Sequence, residues 1–165
     1  MLKLNAVVSS LLLIICSMTQ TVLAAEISYE DRQDVYDLIN RYSFGVDTYD
    51  TDLLMTLFTE EGVFRVYNGG RQVGNREGRE ARYTEFTERA QNRIQNGAGQ
   101  SRHFITNIVI DQLDENHIVA KVMAMSTNMV PGEPAPTVNA IGYYDFEFVK
   151  VNEQWKIDSL ELHYD

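Results

Sequence analysis

Cysteine is almost missing from these 165 residues: the only one is Cys16, inside an apolar N-terminal run. Residues 1–24 read as an export signal, with Lys3 as the positive region, Leu11 to Ile15 as the apolar centre, and Val22-Leu23-Ala24 as the cleavage site. The apolar run is shorter than the ~20 residues a membrane span needs. Ile15 also stands where a lipoprotein signal needs a small residue before the cysteine. Cleavage after Ala24 removes the thiol, so the expected domain, 25–165, has no disulfide, no thiol nucleophile and no zinc–thiolate site. About 140 residues are enough for one domain held by packing alone. The expected location is periplasmic or secreted, with no membrane contact after cleavage.

Positive charge is also scarce, 14 Lys and Arg against 24 Asp and Glu, for a formal charge of −10. That balance argues against nucleic acid and anionic membranes as partners. The three histidines, His103, His117 and His163, are too scattered for metal-ligand spacing, and no metal or cofactor is expected. A Gly-rich phosphate loop and a nucleophile elbow are both lacking. The three prolines all fall in one stiff connection, Pro131 to Pro136.

What is present reads as helices first and strands afterwards. Ser28 is an N-cap with Glu30 and Asp31 behind it, and Val35, Leu38, Ile39 and Tyr42 recur at helical spacing up to a stop at Gly45. A shorter helix is expected from Thr51, capped by Asp50, with Leu53, Leu54, Leu57 and Phe58 inward and Glu60-Glu61-Gly62 as its end. Val63–Tyr67 is strand-like before the turn Asn68-Gly69-Gly70. From Arg76 to Ile94 a charged segment carries Tyr83, Phe86, Ala90 and Ile94, a surface helix lying on the body. Strands are expected over 103–110, 118–130, 138–151 and 155–162, with hairpin turns at Asp114-Glu115-Asn116 and Asn152-Glu153-Gln154. The architecture is α+β, with a strongly bent antiparallel sheet.

Two residues carry the most chemistry. Asp47 follows the apolar face of the first helix, and His103 heads a strand. An acid and a histidine that meet in an apolar pocket make a general base with its orienting carboxylate. Burial favours the neutral ring, and the carboxylate stabilises the imidazolium once a proton is taken. The plainer alternative has Asp47 capping a helix or loop and His103 as a hydrogen-bonded wall residue. Strand alternation puts His103, Ile105, Asn107 and Val109 on one face. Asn107 could then polarise a substrate carbonyl, or simply bond a neighbouring strand. Tyr42 is close before Asp47 and could aim its hydroxyl at the pocket or sit in the core. Tyr143 and Tyr144 point to opposite faces, so one of them, Tyr144, is the lining candidate, and Asn128 could face the same space. Met123, Met125 and Met129 share a strand face, expected as adaptable core. Arg41 reads as a structural ion-pair partner, and His117 and His163 as solvated.

The order of Arg41-Tyr42 with Asp47 and Asp50, Leu57-Phe58, Gly62-Val63-Phe64, Arg102-His103, Thr106-Asn107, Gly142-Tyr143-Tyr144 and Trp155-Lys156-Ile157 resembles the SnoaL-like branch of the nuclear transport factor 2-like superfamily over residues 28 to 162. That resemblance implies a cone in which a curved antiparallel or mixed sheet wraps around N-terminal helices and encloses a deep apolar pocket. Family members include polyketide cyclases, scytalone dehydratase, a bile-acid dehydratase and a hexachlorocyclohexane dehydrochlorinase. In several of them an aspartate after the first helix and a histidine heading a strand act as a dyad, and Asp47 and His103 fall at those places. The implied function is an exported, cofactor-independent lyase, isomerase or cyclase acting on a small apolar substrate. The alternative is a non-catalytic module that binds a hydrophobic ligand or dimerises. Relatives are commonly dimers, and an open sheet face favours a homodimer.

Overall fold

The structure, a computed structural model, describes residues 26–165, so the expected signal segment lies outside the described residues. Helix α1 spans Tyr29–Thr48 and starts where its cap is encoded: the Ser28 side chain accepts from the Asp31 amide at 3.0 Å. Asp31 also takes a hydrogen bond from the Trp155 indole at 2.6 Å and one from Lys150 at 2.8 Å, tying the helix start to the far end of the sheet. Those partners, Lys150 foremost, hold its carboxyl down at about 2. The helix buries Val35, Leu38, Ile39 and Tyr42, and it runs through Gly45 instead of stopping there. A Cβ at Gly45 would sit 2.9 Å from the Leu54 side chain, so this glycine lets the next helix pack close. The stop comes at Tyr49, whose left-handed backbone (φ 59°) lets the Asp50 amide reach the Gly45 carbonyl at 2.9 Å. Asp50 then caps α2, Thr51–Leu57, through the Leu53 amide at 2.9 Å.

Strand β1 begins at once, at Phe58, and runs to Asn68, so Glu60-Glu61-Gly62 lies within a strand and does not end a helix. The turn at Gly69-Gly70 leads to β2, Arg71–Glu77, which pairs antiparallel with β1 and takes Arg76 and Glu77 out of the helix expected to start there. Helix α3 covers Gly78–Gln95. The long strands β3 (Gln100–Asp114), β4 (His117–Met129), β5 (Thr137–Val151) and β6 (Gln154–Tyr164) follow. One six-stranded sheet results, in the order β2-β1-β6-β5-β4-β3. Only the β1–β6 pair is parallel, so the sheet is mixed, and β3 forms an edge.

The core lies between the helices and one sheet face. Tyr42 meets Phe58, Tyr144 and Phe146 edge-on, with ring centroids 6.3, 5.9 and 5.9 Å away. Helix α3 is not simply laid on the surface. Arg82, fully buried, donates to the carbonyls of Gly62, Thr59 and Glu60 and lies 5.0 Å over the Phe58 ring. The β1–β6 register slips between Phe58 and Val63, and the guanidinium satisfies carbonyls that the irregular stretch leaves over. The methionine stripe belongs to the opposite face: Met123 is 47% and Met129 39% exposed, so the stripe is outer surface, not core.

Candidate functional site

Asp47 stands in the last turn of α1, with its side chain about nine-tenths buried. Strand β3 is delivered beside it by the Gly99 backbone, at φ 77°. A Cβ at Gly99 would lie 2.2 Å from the Met129 carbonyl oxygen, so only glycine allows β3 to start this close to the end of β4. Gln100 then donates its side-chain amide to the Asp47 carbonyl at 2.7 Å, pinning the helix end to the strand start. Three residues on, Asp47 Oδ1 lies 2.6 Å from His103 Nδ1, and Oδ2 accepts from the His103 backbone amide at 2.8 Å. As an edge strand, β3 pairs only with β4. A carboxylate only accepts, so Nδ1 carries the proton, and in the neutral ring Nε2 keeps its lone pair.

His103 lines a cavity of about 410 Å³. Tyr42, Val46 and Leu54 close one side of it, and Ser101, Ala124, Ser126, Tyr144 and Tyr164 form the sheet wall. Gly142, in the same wall, faces the His163 carbonyl oxygen at a distance where a Cβ would be 1.9 Å away. Burial pushes the phenols of Tyr42 and Tyr144 well above their ordinary range, and for Tyr144 the neighbouring Tyr42 adds to it. Both are therefore fixed as neutral O–H groups. The third side is α3, which contributes Glu85, Phe86, Arg89 and Arg93. Glu85 pairs with Arg89 at 2.7 Å and with Arg76 at 2.8 Å. Burial acts to raise the Glu85 carboxyl, but the hydrogen bonds and charges of Arg89 and Arg76 outweigh it and hold it down. Burial likewise opposes the charge on Arg89, and Glu85 more than restores it.

Of the residues singled out from sequence, the structure brings Asp47 and His103 into contact and places Tyr42 and Tyr144 on the same cavity. Asn107 is elsewhere. It adopts φ 52° where the β3–β4 register slips between Thr106 and Val109, and it is exposed. The slip inverts the alternation: Val109 turns out at 58% exposure while Ile110 turns in at 7%. Asn107 and Val109 therefore do not share the inner face of His103. Asn128 is not on the lining either. Its Oδ1 accepts from Arg93 at 2.7 Å and its Nδ2 donates to the Ala98 carbonyl. His163 is not solvated but lies between the rings of Tyr67 and Tyr143, each centroid 4.5 Å away. His117 is exposed as expected, and Arg41 pairs with Asp37 at 3.6 Å on the surface.

The charged residues of α3 went unread in the sequence. Glu85, Arg89 and Arg93 recur at four-residue steps beside Phe86 and Ala90, a signal that the apolar positions alone hide. Among the described residues, no group of three or more His, Cys, Asp or Glu is placed to hold a metal ion.

Solved structures share this fold at low sequence identity. A candidate scytalone dehydratase from Novosphingobium aromaticivorans is 21% identical, with a TM-score of 0.65, over 82% of this chain and 85% of that one. A protein from the same organism, described as NTF2-like with a cystatin-like fold, is 19% identical, with a TM-score of 0.66, over 82% of each chain. ActVI-ORFA from Streptomyces coelicolor is 16% identical, with a TM-score of 0.68, over 81% of this chain and 97% of that one. No curated protein matches the sequence. The SnoaL-like domain family matches residues 28–161, nearly everything that the structure describes. The chain is a member of the SnoaL-like domain family, with the cone of helices and curved mixed sheet that its solved neighbours share.

Proposed function

We propose that the protein is an exported, cofactor-independent lyase, isomerase or cyclase in which His103 is the base and Asp47 its orienting acid. The observation that carries this reading is the double grip of Asp47 on His103 beside a cavity large enough for a small molecule. With Nδ1–H committed to the carboxylate, Nε2 takes a proton from a substrate carbon next to a carbonyl. The electron pair moves to the carbonyl oxygen, where the neutral hydroxyls of Tyr42 or Tyr144 donate to the developing charge. The Asp47 carboxylate stabilises the imidazolium. Collapse of the enolate then expels the group on the neighbouring carbon, a hydroxyl leaving as water with the proton of the imidazolium or a halide leaving as the anion while that proton passes to solvent. Where a double bond is conjugated with the enolate, the imidazolium instead returns the proton to the far carbon. The first outcome is elimination and the second isomerisation. The dehydratase likeness among the solved neighbours supports the elimination branch. On this reading the protein works in the periplasm or outside the cell, the location that the export signal expected over residues 1–24 implies, on a mostly apolar compound and alone or as a homodimer.

The test is turnover of a panel of β-hydroxy and β-halo carbonyl compounds by the wild type and by His103→Ala. The variant is expected to fold and to lose about 10²–10⁴-fold in rate. Ligand uptake without turnover in the wild type would favour the non-catalytic binding module instead.

A further inference from the structure

Arg93 differs from every other charged group on the cavity in how it is held. Its Nε donates to the Tyr49 hydroxyl at 3.1 Å, and its Nη2 donates to Asn128 Oδ1 at 2.7 Å and to the Ala98 carbonyl at 3.5 Å. All three acceptors are neutral. Among the described residues Arg93 makes no ion pair, and its Nη1 has no protein partner. Arg89, one helical turn earlier on the same lining, shows the contrast: its guanidinium is neutralised by Glu85 at 2.7 Å. The other acid on the lining, Glu88, is exposed. In a chain with 24 acids and 14 bases, a cavity-lining guanidinium left without a carboxylate is a charge held for something else.

The groups that orient Arg93 lie on the segments next to the dyad. Tyr49 is the residue that ends α1, two positions after Asp47, and its hydroxyl donates to the Gly99 carbonyl at 3.2 Å. Asn128 pairs across the sheet with Ser101, two positions before His103. The guanidinium and the base are thus set by the same helix end and strand start, and both face the same 410 Å³ space. A planar fork fixed at Nε and Nη2 with Nη1 open suits a carboxylate oxygen.

We propose that Arg93 anchors a carboxylate on the substrate, so that the compounds taken are apolar, ring-sized bodies bearing one acid group. This rests on the cavity being the substrate site, and it adds a charge requirement to that reading.

The experiment is calorimetric titration with 2-naphthoate, ionised at neutral pH, and with its neutral isostere 2-naphthamide. The wild type is expected to bind the naphthoate at least tenfold more tightly. Arg93→Gln should bring the two probes within about twofold, by weakening the naphthoate far more than the amide, and Arg93→Lys, which keeps the charge but not the fork, should fall between. Asp47→Asn should keep the preference, because it disturbs the base and not the anchor. The proposal is overturned if naphthoate does not bind, if the wild type shows no preference, or if the preference survives in Arg93→Gln. Loss of the preference in Asp47→Asn overturns it too, since the acid would then be read at the dyad. Failure of His103→Ala to slow turnover would remove the dyad reading and leave this binding result standing.

Discussion

Asp47 holds His103 at two points, with Oδ1 2.6 Å from the ring Nδ1 and Oδ2 2.8 Å from the residue's own backbone amide. The second bond fixes the strand start and the first fixes the ring, so rotation of the carboxylate is blocked while both persist. The histidine therefore keeps one tautomer and one orientation toward the cavity.

Asp47→Asn is expected to separate those two tasks. The amide oxygen can keep the backbone bond, but the NH₂ group then faces Nδ1 and forces the ring proton to Nε2. The base is lost without loss of the fold. Turnover should fall by about 10²–10⁴-fold, with a near-wild-type melting curve. Histidine ¹⁵N chemical shifts should report the change of tautomer, and an unchanged tautomer would refute the argument.

The tyrosine hydroxyls make a second prediction. Neither Tyr42 nor Tyr144 spends its O–H on a protein acceptor among the described residues, although both rings are buried. Phenylalanine at either position should change stability by less than about 1 kcal/mol, since no hydrogen bond within the protein is broken. The one that donates to substrate oxygen should lose about 10²–10³-fold in kcat. Full activity in both single variants and in the double variant would exclude the tyrosines from charge stabilisation.

Acid sensitivity should trace to Asp31. Its carboxyl is held at about 2, below the 3.8 of a free aspartate, first by Lys150 and then by Ser28 and Trp155. A depressed folded-state value means that the stabilisation is complete above about pH 4 and is lost as pH falls toward 2. Melting temperature measured from pH 5 to 2 should therefore drop less steeply in Asp31→Asn, which starts from a lower plateau at neutral pH. Parallel curves would show that Asp31 contributes nothing to the acid limb.

Arg82 is expected to be the costliest single polar residue to remove. Arg82→Met keeps much of the apolar volume but leaves the carbonyls of Thr59, Glu60 and Gly62 without this donor. A loss of about 1–3 kcal/mol for each carbonyl left unsatisfied is expected in chemical denaturation, along with early amide exchange in α3. A variant within 1 kcal/mol of wild type would show that water replaces the guanidinium.

Much of this protein could be read along the chain because the signals are local. The caps at Ser28 and Asp50, the glycine turn after β1 and the 3.6-residue rhythm of α1 depend on residues a few positions apart, and so did the α+β order. The family resemblance supplied the expectation that Asp47 and His103 converge, 56 residues apart in sequence. Only the tertiary structure decided the rest. One left-handed residue, Asn107, inverts the inward face of β3, and alternation counted from His103 cannot anticipate a slip caused by pairing with β4. The outward turn of Met123 and the stacking of His163 between Tyr67 and Tyr143 depend on which sheet face the helices cover. Whether a guanidinium on α3 is neutralised, like Arg89, or left open, like Arg93, depends on what the fold places beside it, because charge partners are chosen in space and not along the chain.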